Sequence, residues 1–80
     1  MDRLFINVRG TGENIYRLMW LNNLSVKDVQ AAFGFATPQA IYKWINGKNC
    51  PSLDNLVNLA RIFKCKVDDI LVVDVVSLLK

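Results

Sequence analysis

Hydrophobic residues recur at helical spacing through the middle of the chain and alternate with polar residues near its start. Ile15, Leu18 and Met19 stand at i, i+3 and i+4, the spacing that places side chains on one buried helix face. The same periodicity returns in three later segments, each bounded by capping or helix-breaking residues. The pattern predicts helices over residues 12–22, 25–33, 37–46 and 52–63, and a last helical turn over 67–71.

Capping residues predict where these helices begin and end. The candidate N-caps of the four longer helices are Thr11, Ser25, Thr37 and Ser52. Asp28 completes a capping-box pattern with Ser25, and Pro38 suits the first position of the third helix because its missing N–H needs no partner there. Gly34 is the expected stop of the second helix, since the left-handed backbone suits glycine. The fourth helix shows a stripe of apolar residues at helical spacing: Leu53, Leu56, Val57, Ala60 and Phe63.

The two ends of the chain have a different pattern. Leu4, Ile6 and Val8 alternate with other residues, which predicts a short strand over residues 3–8, broken by the glycines that follow. The tail, residues 72–80, is rich in valine, a residue that favours strands. These two segments could pair as a two-stranded ribbon. The fold class is therefore mainly α, with five helices and the option of a β-ribbon from the two termini.

Composition narrows the function classes. The 80 residues are 52% hydrophobic, enough for one small domain, and the chain has no histidine and a single glutamate. Imidazole metal sites, serine triads and histidine bases are excluded, so we expect no cofactor, no metal and no enzyme. No apolar run approaches the length of a membrane span and no apolar leader is evident. Cys50 and Cys65 are expected to be reduced thiols, and the protein to be cytoplasmic.

The second and third helices, joined by a tight glycine-containing turn, form a helix-turn-helix pattern. Ile41, Trp44 and Ile45 share the inner face of the third helix. Its outer face carries hydrogen-bonding groups and one cation, with no acid: Gln39, Tyr42, Lys43 and Asn46. Glutamine can pair with adenine and lysine can reach guanine or phosphate, and the net charge of +3 lies in the first fifty residues.

At these positions the chain resembles the Cro/lambda-repressor (XRE) family of bacterial and phage DNA-binding domains. The resemblance covers residues 12–71 and rests on an ordered set of segments: Asn14–Leu18, Leu24–Ser25, Gly34, Ile41–Trp44, Gly47–Lys48, Pro51–Leu53, Leu56, Leu59–Ala60 and Asp68–Leu71. It implies a five-helix, lambda-repressor-like domain at residues 12–71, an N-terminal arm or strand at 1–11 and an apolar tail at 72–80. It also implies a small transcriptional regulator whose third helix enters the major groove.

The resemblance carries DNA contacts over to particular residues. Those at base-reading positions are Pro38, Gln39, Tyr42 and Lys43. Those at phosphate positions are Lys27, Thr37, Asn46 and Lys48. The chain departs from the family at Val26 and Ile45, where Gln and Glu are common, and the turn after Gly34 is one residue longer.

The chain has more apolar residues than a minimal core needs, and the sequence alone does not decide which part of the chain or which partner covers them. Met19, Trp20 and Leu21 stand where the family has charged residues, so the first helix is expected to present apolar surface that needs a cover. Either the termini fold back over this helix, or they form a homodimer interface, or both, as suits palindromic DNA. The alternative function is a protein-interaction module, for example an antitoxin-like protein that binds its partner through the apolar termini. No small-molecule or membrane partner is expected.

Overall fold

A computed structural model describes residues 2–77 of the chain. Five helices and two strands follow one another in the order β1, α1 to α5, β2. The helices are α1 (Val8–Leu21), α2 (Val26–Phe33), α3 (Gln39–Ile45), α4 (Leu53–Phe63) and α5 (Val67–Ile70), and the strands are β1 (Asp2–Ile6) and β2 (Val73–Ser77). The predicted fold class is confirmed, including the two-stranded sheet from the termini.

Helix α1 begins at Val8, four residues before the predicted start, and Thr11 is not its N-cap. Asn7 caps the helix instead, because its side-chain oxygen accepts a hydrogen bond from the Gly10 N–H at 2.7 Å. Val8, predicted as the end of the strand, is the first helical residue. The capping amide offsets part of the low helix propensity of the two glycines in the first turns, and the packing of α1 on the core supplies the rest.

Position 12 in α1 is a glycine because a neighbouring backbone occupies the space that a side chain would fill. A Cβ at this position would collide with the main-chain carbonyl oxygen of Trp44, at the end of α3. The glycine that the sequence pattern treats as a strand breaker is therefore the point of closest approach between α1 and α3.

Two hydrogen-bonded side chains attach α1 to the C-terminal part of the fold. Thr11 is fully buried, and its hydroxyl accepts a hydrogen bond from the Val72 N–H at 2.9 Å. Asn14 donates its side-chain amide to the carbonyl oxygens of Asp69 (2.8 Å) and Ile70 (2.9 Å), where α5 ends. These bonds fix where the chain leaves α5 and turns into β2.

The core lies between α1 and the other four helices. Its buried apolar members are Ile15, Leu18, Met19, Val29, Ile41, Trp44, Leu56, Leu59, Ala60, Phe63 and Ile70. Two members of the predicted α4 stripe are outside it, since Leu53 and Val57 remain 80% and 61% exposed. They stand on the flank of α4 that no other described helix covers, while Leu56 and Leu59 face the core.

The strands pair antiparallel, with Leu4 opposite Val75 and Ile6 opposite Val73. All ten strand residues are exposed, so the ribbon extends from the domain and does not lie over α1. Trp20 and Leu21, at the far end of α1, stay exposed, whereas Met19 is in the core. Of the two open alternatives, the one in which folded-back termini cover α1 is therefore wrong, because the ribbon leaves from the other end of that helix.

Candidate nucleic-acid interface

Three aromatic rings fix the position of α3 against α2. Phe33 at the end of α2 and Phe35 in the turn lie with their centroids 5.2 Å apart, and both pack edgewise on Trp44 of α3 at 5.9 and 6.0 Å. Tilted and edge-to-face contacts of this kind are favourable because ring edges are positive and ring faces negative. The turn itself is held by Gln30, whose side-chain amide donates to the Phe35 carbonyl at 3.2 Å.

The start of α2 and its end agree with the sequence prediction. The Ser25 hydroxyl accepts from the Asp28 N–H, and the Asp28 carboxylate accepts from the Ser25 N–H at 2.8 Å. The Ser25 N–H, and to a smaller extent the Ser25 side chain, lower the pKa of Asp28 because hydrogen bonds to the carboxylate favour its charged form. Gly34 follows in the left-handed conformation with φ of 67°, which ends the helix before the turn.

The start of α3 differs from the prediction. Its first helical residue is Gln39, and Pro38 is the N-cap rather than the first helical position. No side chain caps the helix, so the predicted capping role of Thr37 is wrong. The Pro38 carbonyl instead accepts the first helical hydrogen bond, from the Tyr42 N–H at 3.1 Å. This leaves the Thr37 hydroxyl on the exposed surface in front of the helix.

The two faces of α3 separate as the periodicity predicts. Ile41 and Trp44 are buried and Ile45 is partly buried, whereas the opposite face is open. The residues of that exposed face are Gln39, Tyr42, Lys43 and, at the C-cap, Asn46. Tyr42 is 49% exposed, so its ring is not part of the core. The predicted base-reading residues thus share one surface, apart from Pro38, which is half-buried at the N-cap.

The predicted phosphate residues are more dispersed. Lys48 is exposed just past the end of α3, where its N–H donates to the Lys43 carbonyl at 2.8 Å. Gly47, between Asn46 and Lys48, has φ of 71° and lies against the backbone of Arg9 in α1. Lys27 is exposed on α2 and lines a different depression, together with Gln30 and Gly34.

A shallow open depression of about 600 Å³ runs beside α3. Its lining brings three predicted residues, Thr37, Gln39 and Lys43, together with two asparagines. The asparagines are Asn49, in the loop before α4, and Asn55, in the first turn of α4. Sequence reasoning missed both. The signal that was available is the polar loop after α3, which the helix-turn-helix places next to the exposed face of that helix.

The electrostatics around α3 favour an anionic partner. Residues 29–53 contain no acidic side chain, and their cations are Lys43 and Lys48. Burial raises the pKa of the Cys50 thiol, which lines the same depression, so that thiol stays neutral at physiological pH. The depression and the exposed face of α3 therefore combine positive charge with amide and hydroxyl groups, and neither includes a carboxylate.

An exposed third helix of this chemistry, held by a tight turn on a five-helix core, defines a DNA-binding protein of the helix-turn-helix class. The sequence profile of the family described as Helix-turn-helix matches residues 15–70, which are 56 of the 80 residues. The chain belongs to this family, of the Cro/C1 (XRE) type, and is a DNA-binding transcriptional regulator. Comparisons with curated proteins and with solved structures gave no match. Among the helices of residues 2–77, none has the length and apolar character needed to cross a bilayer.

Proposed function

We propose that the protein binds specific sequences of double-stranded DNA with α3 in the major groove and acts in the cytoplasm of a bacterium or in a phage-infected cell. The observation that carries this proposal is the exposed face of α3, which groups Gln39, Tyr42 and Lys43 in a segment, residues 29–53, that contains no acid. An α-helix with its side chains is about 10–12 Å across, so a major groove about 12 Å wide admits the seven residues of α3.

Each side chain has a defined role in this proposal. Gln39 can make paired hydrogen bonds to adenine, and Lys43 can reach guanine acceptors from the next turn of the helix. Thr37, Asn46 and Lys48 stand at the two ends of α3, where the phosphate backbones flank a helix in the groove. Lys27 is the most distant of the proposed phosphate contacts, because it lies on α2 outside the depression beside α3.

The protein regulates transcription by occupancy in this proposal, since a bound copy excludes or recruits polymerase. We also propose that two copies bind together, because half-sites one helical turn apart require a two-fold protein. The exposed termini are the surface available for that contact. The same exposed ribbon also favours a second candidate function, an interaction module that holds a protein partner of another kind.

Selection from a random duplex library at physiological salt tests the proposal. We expect an enriched motif, with a palindrome if two copies bind together. Lys43→Ala should weaken binding to that motif roughly tenfold, and Gln39→Ala should relax the preference at one base pair. Lys48→Ala should weaken binding to all sequences. It should also reduce, by about one, the slope with which the logarithm of the binding constant falls with the logarithm of the salt concentration.

A matched control removes the same charge elsewhere. Lys66 is exposed before α5 and is not among the residues that line the depression beside α3. Lys66→Ala should therefore leave binding to the selected motif nearly unchanged. Equal losses from Lys43→Ala and Lys66→Ala, or no enrichment by a folded protein, would remove sequence reading by α3 and leave the interaction module as the remaining candidate.

A further inference from the structure

The start of α1 packs against the loop that follows α3, and this contact brings an arginine to the end of α3. Gly47 lies in that loop and has no side chain. The space where its Cβ would stand is 2.9 Å from the Arg9 Cα, 3.2 Å from the Arg9 Cβ and 3.4 Å from the Arg9 Cγ. Gly12, three residues further along α1, makes a similar close contact with the Trp44 carbonyl. The stem of the Arg9 side chain therefore runs along the backbone of Gly47.

The charged end of Arg9 has no partner among residues 2–77. The residue is exposed, and its side chain makes no ion pair and no hydrogen bond with the described part of the chain. Glu13 stands four residues later in α1, outside ion-pair distance. Arg17 is different, because its side chain donates a hydrogen bond to the Asn14 side-chain oxygen at 3.0 Å. Of these two arginines on one helix, Arg9 alone has a guanidinium that is fully available to another molecule.

The loop beside Arg9 presents further polar groups. Asn46 and Lys48 are exposed on either side of Gly47. Gly47 has φ of 71°, and the Lys48 N–H donates to the Lys43 carbonyl at 2.8 Å, so the chain turns back at this point. The end of α3 is therefore flanked by two cations, Arg9 and Lys48, which come from segments far apart in the sequence. Only the packing of α1 on this loop brings them to the same end of α3.

We propose that Arg9 is a further DNA-binding residue, and that together with Lys48 it holds the phosphate backbone that passes the C-terminal end of α3. This inference rests on the proposed DNA binding. Phosphate backbones flank a helix that lies in the major groove, and contacts to them fix its position. A guanidinium is planar and permanently charged, and it makes paired hydrogen bonds to phosphate oxygens. Arg9 lies on α1, outside the reading helix, so its ligand is a phosphate group and not a base edge.

A cation at the end of a helix can also have a purely structural role, because the last carbonyl groups carry partial negative charge. The hydrogen bonds at the end of α3 favour the phosphate role. Three of the last carbonyl oxygens already accept backbone N–H groups from the following loop: those of Tyr42, Lys43 and Trp44. The Arg9 side chain donates to none of them. Its guanidinium is therefore not committed to the stability of α3.

The decisive experiment compares Arg9→Gln with Arg17→Gln. Each substitution removes one positive charge from an exposed position of α1, so the net charge falls equally. Glutamine keeps the Cβ and Cγ atoms that pack beside Gly47 and has a helix propensity close to that of arginine. Both variants should therefore keep the melting temperature of the unaltered chain.

Fluorescence anisotropy measures the affinity of each variant for the selected duplex and for a scrambled duplex, over a series of salt concentrations. Arg9→Gln should weaken binding to both duplexes about five- to tenfold, because a phosphate contact does not depend on the bases. It should also reduce by about one the slope of the logarithm of the binding constant against the logarithm of the salt concentration. Arg17→Gln should leave both quantities nearly unchanged.

A second measurement locates the contact on the DNA. Uncharged methylphosphonate linkages, placed one at a time in the selected duplex, each remove the charge of a single phosphate. The unaltered chain should bind more weakly wherever it contacts the replaced phosphate. Arg9→Gln should become insensitive at about one or two of these linkages. They should adjoin the linkage at which Lys48→Ala becomes insensitive, since Arg9 and Lys48 stand beside the same glycine.

The outcomes separate this inference from the proposed function. Equal affinities of Arg9→Gln and Arg17→Gln, sensitivity of Arg9→Gln at every linkage, or a lowered melting temperature that accounts for its weaker binding would each overturn the phosphate role of Arg9. If the unaltered chain still prefers the selected duplex, the proposed function stands in those cases. Equal binding of the unaltered chain to both duplexes, together with a loss specific to Arg9→Gln, would instead refute sequence reading and support the phosphate contact.

Discussion

The helical domain, residues 8–70, and the terminal ribbon bury their apolar side chains to very different extents. In the domain the apolar stripes of five helices meet in one core, and the buried Thr11 hydroxyl has a hydrogen-bond partner. In the ribbon every described residue is exposed, although Leu4, Ile6, Val73 and Val75 are as apolar as the residues of a core strand. The difference teaches that the domain is stabilised within one chain, whereas the rest of residues 2–77 leaves the apolar side chains of the ribbon uncovered.

Truncating a buried ring should destabilise the domain, and the ribbon with it, because only the folded domain brings the two strands together. Trp44 is 3% exposed and contacts Phe33 and Phe35, so Trp44→Ala should lower the free energy of unfolding by about 3–5 kcal/mol, enough to unfold much of the population. Trp20→Ala is the matched control, because Trp20 is 75% exposed and should cost less than about 0.5 kcal/mol. Urea unfolding followed by circular dichroism measures both, and similar costs would contradict the assigned core.

Gly12 tests the close approach between α1 and α3. In an ordinary helix, Gly→Ala raises stability by about 1 kcal/mol. Here the added methyl group meets the Trp44 carbonyl, so Gly12→Ala should lower the free energy of unfolding by about 1–3 kcal/mol. Urea unfolding should therefore show a loss of stability where an ordinary helical Gly→Ala substitution gives a gain. Gly34→Ala, which meets no atom but keeps a φ of 67°, should cost about 1 kcal/mol from backbone strain alone.

Thr11 tests the joint between the two regions. Thr11→Val removes the acceptor of the Val72 N–H and should cost about 1–3 kcal/mol. Amide exchange at Val72 and through β2 should accelerate because the ribbon opens locally. The exchange rates of the α4 amides should change only as far as the global free energy of unfolding changes. Thr11→Ser keeps the hydroxyl and should preserve protection at Val72. If both variants protect that amide equally, the hydroxyl does not attach the ribbon.

The smallest expected effect is the pH dependence of the α2 cap. Hydrogen bonds from Ser25 lower the pKa of Asp28 in the folded chain, so this pair stabilises the fold above the unfolded pKa of the carboxyl. That stability is lost as the pH falls through the folded value, in the acid range below about 4. Ser25→Ala should cost about 1 kcal/mol at neutral pH and raise the Asp28 pKa only in part, because the backbone N–H of residue 25, the larger cause of the lowering, remains. An NMR titration of the carboxyl measures this, and an ordinary Asp28 pKa in the unaltered chain would mean that the capping box does not hold in solution.

Local sequence signals were sufficient wherever the determining atoms lie within a few residues of each other. Ser25, Gly34 and Ser52 mark real helix ends because a cap joins residues about three positions apart. The outer face of α3 was predictable for the same reason, since helical periodicity alone separates Lys43 from Ile41. The family resemblance was confirmed, but the roles of individual residues on DNA stay predictions.

Predictions failed where residues distant in sequence decide the outcome. Thr11 and Gly12 were interpreted as a cap and a breaker, whereas they serve contacts with Val72 and Trp44. Leu53 and Val57 satisfy the periodicity of α4, but no neighbouring element reaches that flank. Asn49 and Asn55 join the surface beside α3 only because the chain turns back after that helix.

The sequence by itself determined the helical class of this protein, most of its helix ends and the polar face of α3, because these depend on short-range periodicity and capping. The tertiary structure decided which glycine must remain glycine, where α1 begins and that the ribbon projects from the domain. Those features depend on the close approach of distant backbones and on which apolar faces find a neighbour, and no local pattern in the chain encodes either.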